Sequence, residues 1–281
     1  MALLGLSFDI EDWHQLAGMR ADGTFSEASA RIDGCIERIL DLCDEVGVKG
    51  TFFILGLLVV SRPHLVKRIA QRGHEIASHS SRHRLVHSMT REEFVADLRE
   101  SKYLLEDLSA TAVVGFRAPE FSVQRLDHPC FAALAGAGFR YDSSVFPVHR
   151  LRYGIADAPR TPFVIATAVG SLVELPLATV PIWRWRVPIA GGSYFRMLPA
   201  SFITWAAKRA VGRAESLVFY FHPYEFSREF LCLPGGLMRN RPIVKHVVLH
   251  NFATWRIAAS LRALLRRFDF GPLRELAAQV A

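Results

Sequence analysis

His79 and His83 stand four residues apart in His79-Ser80-Ser81-Arg82-His83, a spacing at which two imidazoles can face one point from a single helical turn. Two imidazoles seldom close a metal site alone, so another segment must supply a carboxylate, and Asp9-Ile10-Glu11-Asp12 offers three. Two His and one carboxylate leave a coordination position open on a divalent ion, which is the requirement for activating water. The chemistry predicted is metal-assisted hydrolysis, with zinc the ion that best suits two imidazoles. Three carboxylates closing an apolar strand are costly unless a cation or hydrogen bonds compensate them.

Two other segments carry reactive residues. Arg117 closes an apolar run in Gly115-Phe116-Arg117-Ala118-Pro119, where its fixed charge would hold a buried carboxylate ionised and oriented. His222 ends the most hydrophobic run, Phe219-Tyr220-Phe221-His222-Pro223. A general acid working near neutral pH needs such surroundings and a partner carboxylate, for which Asp142 is available.

The elements that must position these residues alternate. Strands are read at 3–10, 51–54, 75–78, 113–117, 139–141, 172–175 and 217–221, with 268–270 as an eighth. Helices are read at 26–45, 63–71, 130–137, 200–210 and 251–267, with a short one after Pro272. Another follows the capping box that Thr90-Arg91-Glu92-Glu93 spells, to about residue 108. Alternating strands and helices argue for an α/β fold with a parallel sheet, here a distorted (β/α)7–8 barrel. Asp9 to Asp12, His79, His83, Arg117, Asp142 and His222 all fall at strand C-terminal ends, which share one face of such a barrel. Residues 145–199, rich in Pro, Gly and aromatic side chains, read as an irregular, partly β insertion within one domain spanning 1–281.

Half of the 281 residues are hydrophobic, enough for a sizeable core, and disorder is not expected. Cys35, Cys43, Cys130 and Cys232 form no Cys-x-x-Cys pair and read as reduced thiols, which predicts a cytoplasmic protein. No basic region precedes the first apolar residues, so no signal peptide is expected. The longest apolar run, 52–60, is far shorter than the roughly 20 residues of a spanning helix. The net charge of +7 comes from distributed arginines without an aromatic-basic recognition motif, so nucleic acid is not the expected partner. The charge reads as a basic surface, with attraction to a phosphorylated or lipid-linked substrate as the alternative.

Five segments in order, Phe8-Asp9-Ile10-Glu11-Asp12-Trp13, His79 to His83, Arg117-Ala118-Pro119, Tyr141-Asp142-Ser143-Ser144 and Phe221-His222-Pro223, resemble the motifs of the polysaccharide deacetylase family. This family is also known as the NodB-homology domain or carbohydrate esterase family 4. The first motif departs from the family's Thr-Phe-Asp-Asp-Gly. With Gly191-Gly192-x-Tyr194-Phe195-Arg196 and His222-Pro223-Tyr224-Glu225-Phe226, it looks most like a bacterial subgroup near exopolysaccharide and O-antigen genes. The resemblance implies a metal-dependent hydrolase that removes an N-acetyl or other N-acyl group from an amino sugar in a glycan or its nucleotide- or lipid-linked precursor. It implies Asp9 as base held by Arg117, the backbone N–H of Glu120 as oxyanion donor, and His222 as acid positioned by Asp142. The metal ligands would be His79, His83 and a carboxylate. Strand alternation puts Glu11 on the side of Asp9, whereas Asp12 lies beyond the strand end and is free to turn inward; the expectation leans to Asp12. Trp13, Tyr194 and Phe195, with Trp183 and Trp185, are candidates for sugar contacts or for core packing. Some relatives hydrolyse cyclic ureides or other C–N bonds, and a glycan-binding protein with a silent site is the remaining alternative.

Overall fold

The computed structural model describes residues 2–12, 31–150, 153–230, 247–248 and 250–280. Its strands are β1 (Leu4–Ile10), β2 (Thr51–Ile54), β3 (Glu75–Ser78), β4 (Gly115–Phe116), β5 (Tyr141–Asp142), β6 (Phe163–Thr167), β7 (Gly170–Glu174), β8 (Thr179–Ile182), β9 (Trp185–Pro188), β10 (Val218–Phe221) and β11 (Phe270–Gly271). The helices that matter for the site are α1 (Arg31–Val46), α2 (Gly56–Ser61), α3 (Pro63–Gln71), α4 (Arg91–Ser109), α5 (Cys130–Gly136), α6 (Gly192–Met197) and α7 (Ala200–Val211). Helices at Trp255–Leu265 and Leu273–Ala278 follow.

β10, β1, β2, β3, β4, β5 and β7 pair in that order, all parallel. Just past β7, Leu177 bridges Val218 of β10 in parallel, and the Ala178 N–H donates to the Val218 carbonyl at 2.9 Å. One bridge thus closes the ring, and the fold is a distorted (β/α)7–8 barrel. β4 and β5 are only two residues long, which leaves the ring uneven. β11 pairs with the start of β1, and β6 lies antiparallel on β7.

Local sequence explains the elements. Every residue of β1 is buried, as expected of a parallel strand covered on both faces. In α1, Ile32, Cys35, Ile36, Ile39, Leu40 and Cys43 are buried at helical spacing. The capping box is formed: the Thr90 N–H donates to Glu93 Oε2 at 2.8 Å and the Glu93 N–H to Thr90 Oγ1 at 3.2 Å. α2, a short helix, has no counterpart in the sequence expectations. Within residues 145–199 the chain builds barrel strand β7, its antiparallel neighbour β6 and a separate β8–β9 hairpin. Residues 26–30 of the expected first helix lie outside the described residues.

His74, just before β3, is 5% exposed; its Nδ1 accepts the Gly50 N–H at 3.1 Å and its ring meets the Phe52 ring edge-on. Burial, helped by the charges of Lys49 and Arg72, lowers its pKa from 6.5 to about 4. Between those values the unfolded chain binds more protons than the folded one, so stability falls as pH drops below 6.5 and the loss is complete near 4. Urea unfolding at neutral pH and near the lowered pKa should show an acid-side loss about 2–3 kcal/mol larger for the parent than for His74→Gln. Equal losses in the two proteins would exclude His74 as the source.

Candidate active site

The five residues His79 to His83 leave β3 as an irregular loop, not the helical turn that their spacing predicts: Ser80 has φ 70° and His83 φ 53°. Neighbouring elements hold this loop in place. The Ser81 N–H donates to Asp97 Oδ2 of α4 at 2.9 Å, and the carbonyls of Ser80 and Ser81 accept the N–H groups of Gly56 and Leu57 at 3.0 and 2.9 Å. A Cβ on Gly56 would come within 2.9 Å of the Ser81 Cα, so only glycine lets α2 start this close to the loop. His79 Nδ1–H donates to the Arg117 carbonyl at 2.9 Å, which fixes the ring and turns Nε2 toward Glu11 Oε2, 3.8 Å away. Burial lowers the His79 pKa, favouring the neutral imidazole that a metal requires.

Glu11, His79 and His83 are all buried, and one ligand atom from each lies within 4.8 Å of the others. The turn that ends β1 decides the carboxylate. The Glu11 N–H closes onto the Asp9 carbonyl at 3.1 Å, and both carboxylates act on His79. Asp12, to which the sequence reading leaned, is buried outside that cluster, where its charge helps raise the pKa of the Cys35 thiol of α1. Among the described residues the cluster therefore contains Glu11 and not Asp12. Burial would raise the Glu11 pKa, but His83, His79 and His222 outweigh it and bring the value to about 2. Glu11 Oε2 is buried against His83 Nε2, with His79 Nε2 3.8 Å away. Two imidazole nitrogens facing such an oxygen fit a divalent cation.

Arg117 is fully buried, and its Nη1 donates to Asp9 Oδ1 at 2.6 Å and to Ser7 Oγ at 2.9 Å. Its Nε and Nη2 donate to the carbonyl and hydroxyl of Ser143 at 2.9 and 2.8 Å. The Ala118 N–H donates to Ser144 Oγ at 2.7 Å. The Tyr141-Asp142-Ser143-Ser144 segment thus holds the arginine loop, and it does not hold His222. Asp142 stands opposite Glu174 across β5 and β7, and its Oδ1 accepts the Ser144 hydroxyl at 2.7 Å. Burial raises the pKa of Asp142, and burial with the facing Asp142 raises that of Glu174 well above its usual value.

The partner of His222 is Glu225, which the sequence reading did not assign. In the turn Pro223–Phe226, Glu225 Oε2 accepts the His222 N–H at 3.0 Å and lies 3.8 Å from its Nδ1. His222 Nε2 lies 3.5 Å from Glu11 Oε1. Burial presses the His222 pKa down, but the negative charges of Glu225, Glu11 and Asp9 outweigh it and raise the value. The readable signal was Glu225 three residues past His222, the spacing of a capping box. A Cβ on Gly192 of α6 would fall 2.1 Å from Glu225 Oε2, which explains a glycine there.

Glu120, at φ 51°, follows Pro119 in the short turn after Arg117. Phe195 is a core side chain, its ring 4.8 Å from Phe221 and 5.9 Å from Phe219, and so is not available to a sugar. Tyr194 is half-buried against Phe146 and Arg150. Trp13 lies outside the described residues.

Fold and site together define a parallel barrel whose strand C-termini gather a buried His-His-carboxylate cluster, an arginine-held aspartate and a glutamate-held histidine. Residues 22–140 match the polysaccharide deacetylase family model, and residues 143–278 match a domain of unknown function (DUF3473). The first half of the chain is thus similar to polysaccharide deacetylases. It is 31% identical over 148 residues to a peptidoglycan deacetylase-like protein of Gibberella zeae, covering 51% of this chain and 43% of that protein. It is 32% identical over 69 residues to a peptidoglycan-N-acetylglucosamine deacetylase of Bacillus cereus, covering 25% of this chain and 32% of that protein. The chain thus spans less than half the length of these relatives. A crystal structure of a candidate polysaccharide deacetylase from Mycobacterium smegmatis has the same fold, with TM-score 0.63 at 20% identity over 99% of this chain and 90% of that one.

Titration with zinc should distinguish the two carboxylates: Glu11→Gln lowers affinity by about 10–100-fold or more, while Asp12→Asn changes it little. The reverse ranking would return the ligand to Asp12.

Proposed function

We propose that this chain is a metal-dependent hydrolase that removes an N-acetyl or other N-acyl group from an amino sugar. The observation that carries the reading is the buried Glu11, His79 and His83 cluster, with the Arg117-held Asp9 and with His222 both close to it. The amino-sugar substrate is supported by the peptidoglycan deacetylase names of the matched relatives.

Glu11, His79 and His83 would hold the ion, zinc by the donor set, which when bound polarises the amide oxygen and lowers the pKa of a water. Asp9, fixed by Arg117, accepts the proton of the attacking water. The Glu120 backbone N–H donates to the oxygen that becomes anionic. His222, its pKa raised, gives its proton to the nitrogen as the C–N bond breaks, because an amide anion is too basic to leave. A C–O bond replaces the C–N bond, and a carboxylate and a free amine depart. Glu225 keeps the His222 ring in place throughout.

The finer reading is a bacterial protein of exopolysaccharide or O-antigen synthesis, acting in the cytoplasm on a nucleotide- or lipid-diphosphate-linked amino sugar. Support comes from Cys35, Cys43 and Cys130, which are buried free thiols, and from the net charge of +7, which favours a phosphorylated substrate.

Acetate release should be measured in parallel on nucleotide-linked, lipid-linked and free oligomeric N-acetylamino sugars. Release from none would overturn the deacetylase reading; release from the free oligomers alone would overturn the precursor reading and keep the enzyme. His222→Ala should lower kcat by about 10²–10⁴ with unchanged metal content, and Glu225→Gln should lower kcat less with little change in KM.

A further inference from the structure

The β8–β9 hairpin carries its aromatic residues bare. Ile182 pairs with Trp185, and the turn between them is Trp183 and Arg184. Trp183 is 87% exposed and Trp185 63%, and the Arg184 guanidinium lies 4.9 and 5.6 Å from the centroids of their rings. Trp183 has φ 54°, a conformation in which glycine or asparagine rests easily and a bulky side chain is strained. Neither packing nor backbone preference accounts for a tryptophan at that turn.

The foot of the hairpin and α7 line one cleft. Thr179, Val180 and Pro181 share a shallow cleft with Arg160, Arg209 and Arg213. Arg209 reaches over Trp205, which is 45% exposed, and Lys208 is exposed beside it. The one carboxylate of the cleft, Glu215, faces Arg160 at 3.7 Å. The hairpin tip and the cleft at its foot thus expose tryptophan rings and cations, and among the described residues Arg184, Lys208, Arg209 and Arg213 have no carboxylate partner within salt-bridge distance.

We propose that this face binds the surface of an anionic phospholipid bilayer, with Trp183 and Trp185 entering the headgroup region and Arg184, Lys208, Arg209 and Arg213 meeting lipid phosphates. An indole suits that boundary because its ring is apolar and its N–H is wet. Each cation near an anionic leaflet strengthens attachment about fivefold. A neutral glycan would use the rings but leave the cations without a role, and a second copy of the chain would set like charges together.

The test is flotation of the full chain with vesicles of phosphatidylcholine alone, or of equal parts phosphatidylcholine and phosphatidylglycerol. The chain should bind only the anionic vesicles, and added salt should weaken binding. Trp183→Ala with Trp185→Ala, and separately Arg184→Glu, should each weaken it by about tenfold or more, while thermal unfolding stays at the parent temperature. Brominated acyl chains should quench parent fluorescence more than that of the double variant. No vesicle binding by the parent, or undiminished binding by both variants, would overturn the proposal. Capture by chitin oligosaccharide or heparin without capture by vesicles would overturn it in favour of a glycan. Vesicle binding requires no turnover, so it stands or falls apart from the deacetylase activity.

Discussion

A fully buried guanidinium inside the barrel organises the site. Arg117 sits over the Phe53 ring, 4.1 Å from its centroid, and donates to Asp9, Ser7 and Ser143. Its backbone is equally engaged: the N–H donates to the Ser78 carbonyl, and its own carbonyl accepts from His79. One residue therefore fixes the carboxylate of β1, the loop after β3 and the turn that presents Glu120. Losing either charge of the Arg117–Asp9 pair would leave the other uncompensated, at a cost of roughly 3–5 kcal/mol. The strand ends can hold an ionised group away from water because this pair is closed by hydroxyl and carbonyl partners.

The buried carboxyl groups share one fold but not one state. Glu11, faced by three imidazoles, is held ionised. Glu225 is also lowered, since His222 outweighs its burial. Glu75 is raised by burial, although Thr51, Tyr141 and the Arg274 N–H all donate to it. Asp142 and Glu174, further round the sheet, face each other and are both raised by burial. Negative charge collects where imidazoles and Arg117 face it, which is where a cation and an attacking water would be needed.

The family match changes between residues 140 and 143, yet the sheet runs through that point. β5 joins β4 on one side and β7 on the other, and β10 pairs with β1. The second half thus completes the ring and supplies His222 and Glu225, while the first supplies Asp9, Glu11 and both loop histidines. A site with donor and acceptor groups from both halves forms only when both are folded together.

Much of this was legible in the sequence. Short apolar runs ending in polar residues marked the barrel strands and their active ends, because burial on both faces demands continuous apolar character. The types and spacings of Asp9, His79, His83, Arg117 and His222 marked them as candidates before any contact was known, and the structure brings them to one end of the sheet. The choice of Glu11 over Asp12, the pairing of His222 with Glu225 in place of Asp142, the burial of Phe195 and the exposure of Trp183 were decided only by tertiary structure. Spacing along the chain sets which element a residue joins and at which end. Whether a side chain at the end of a two-residue strand faces the barrel axis or the helices depends on register with strands far away in sequence, and a shift of one residue reverses it.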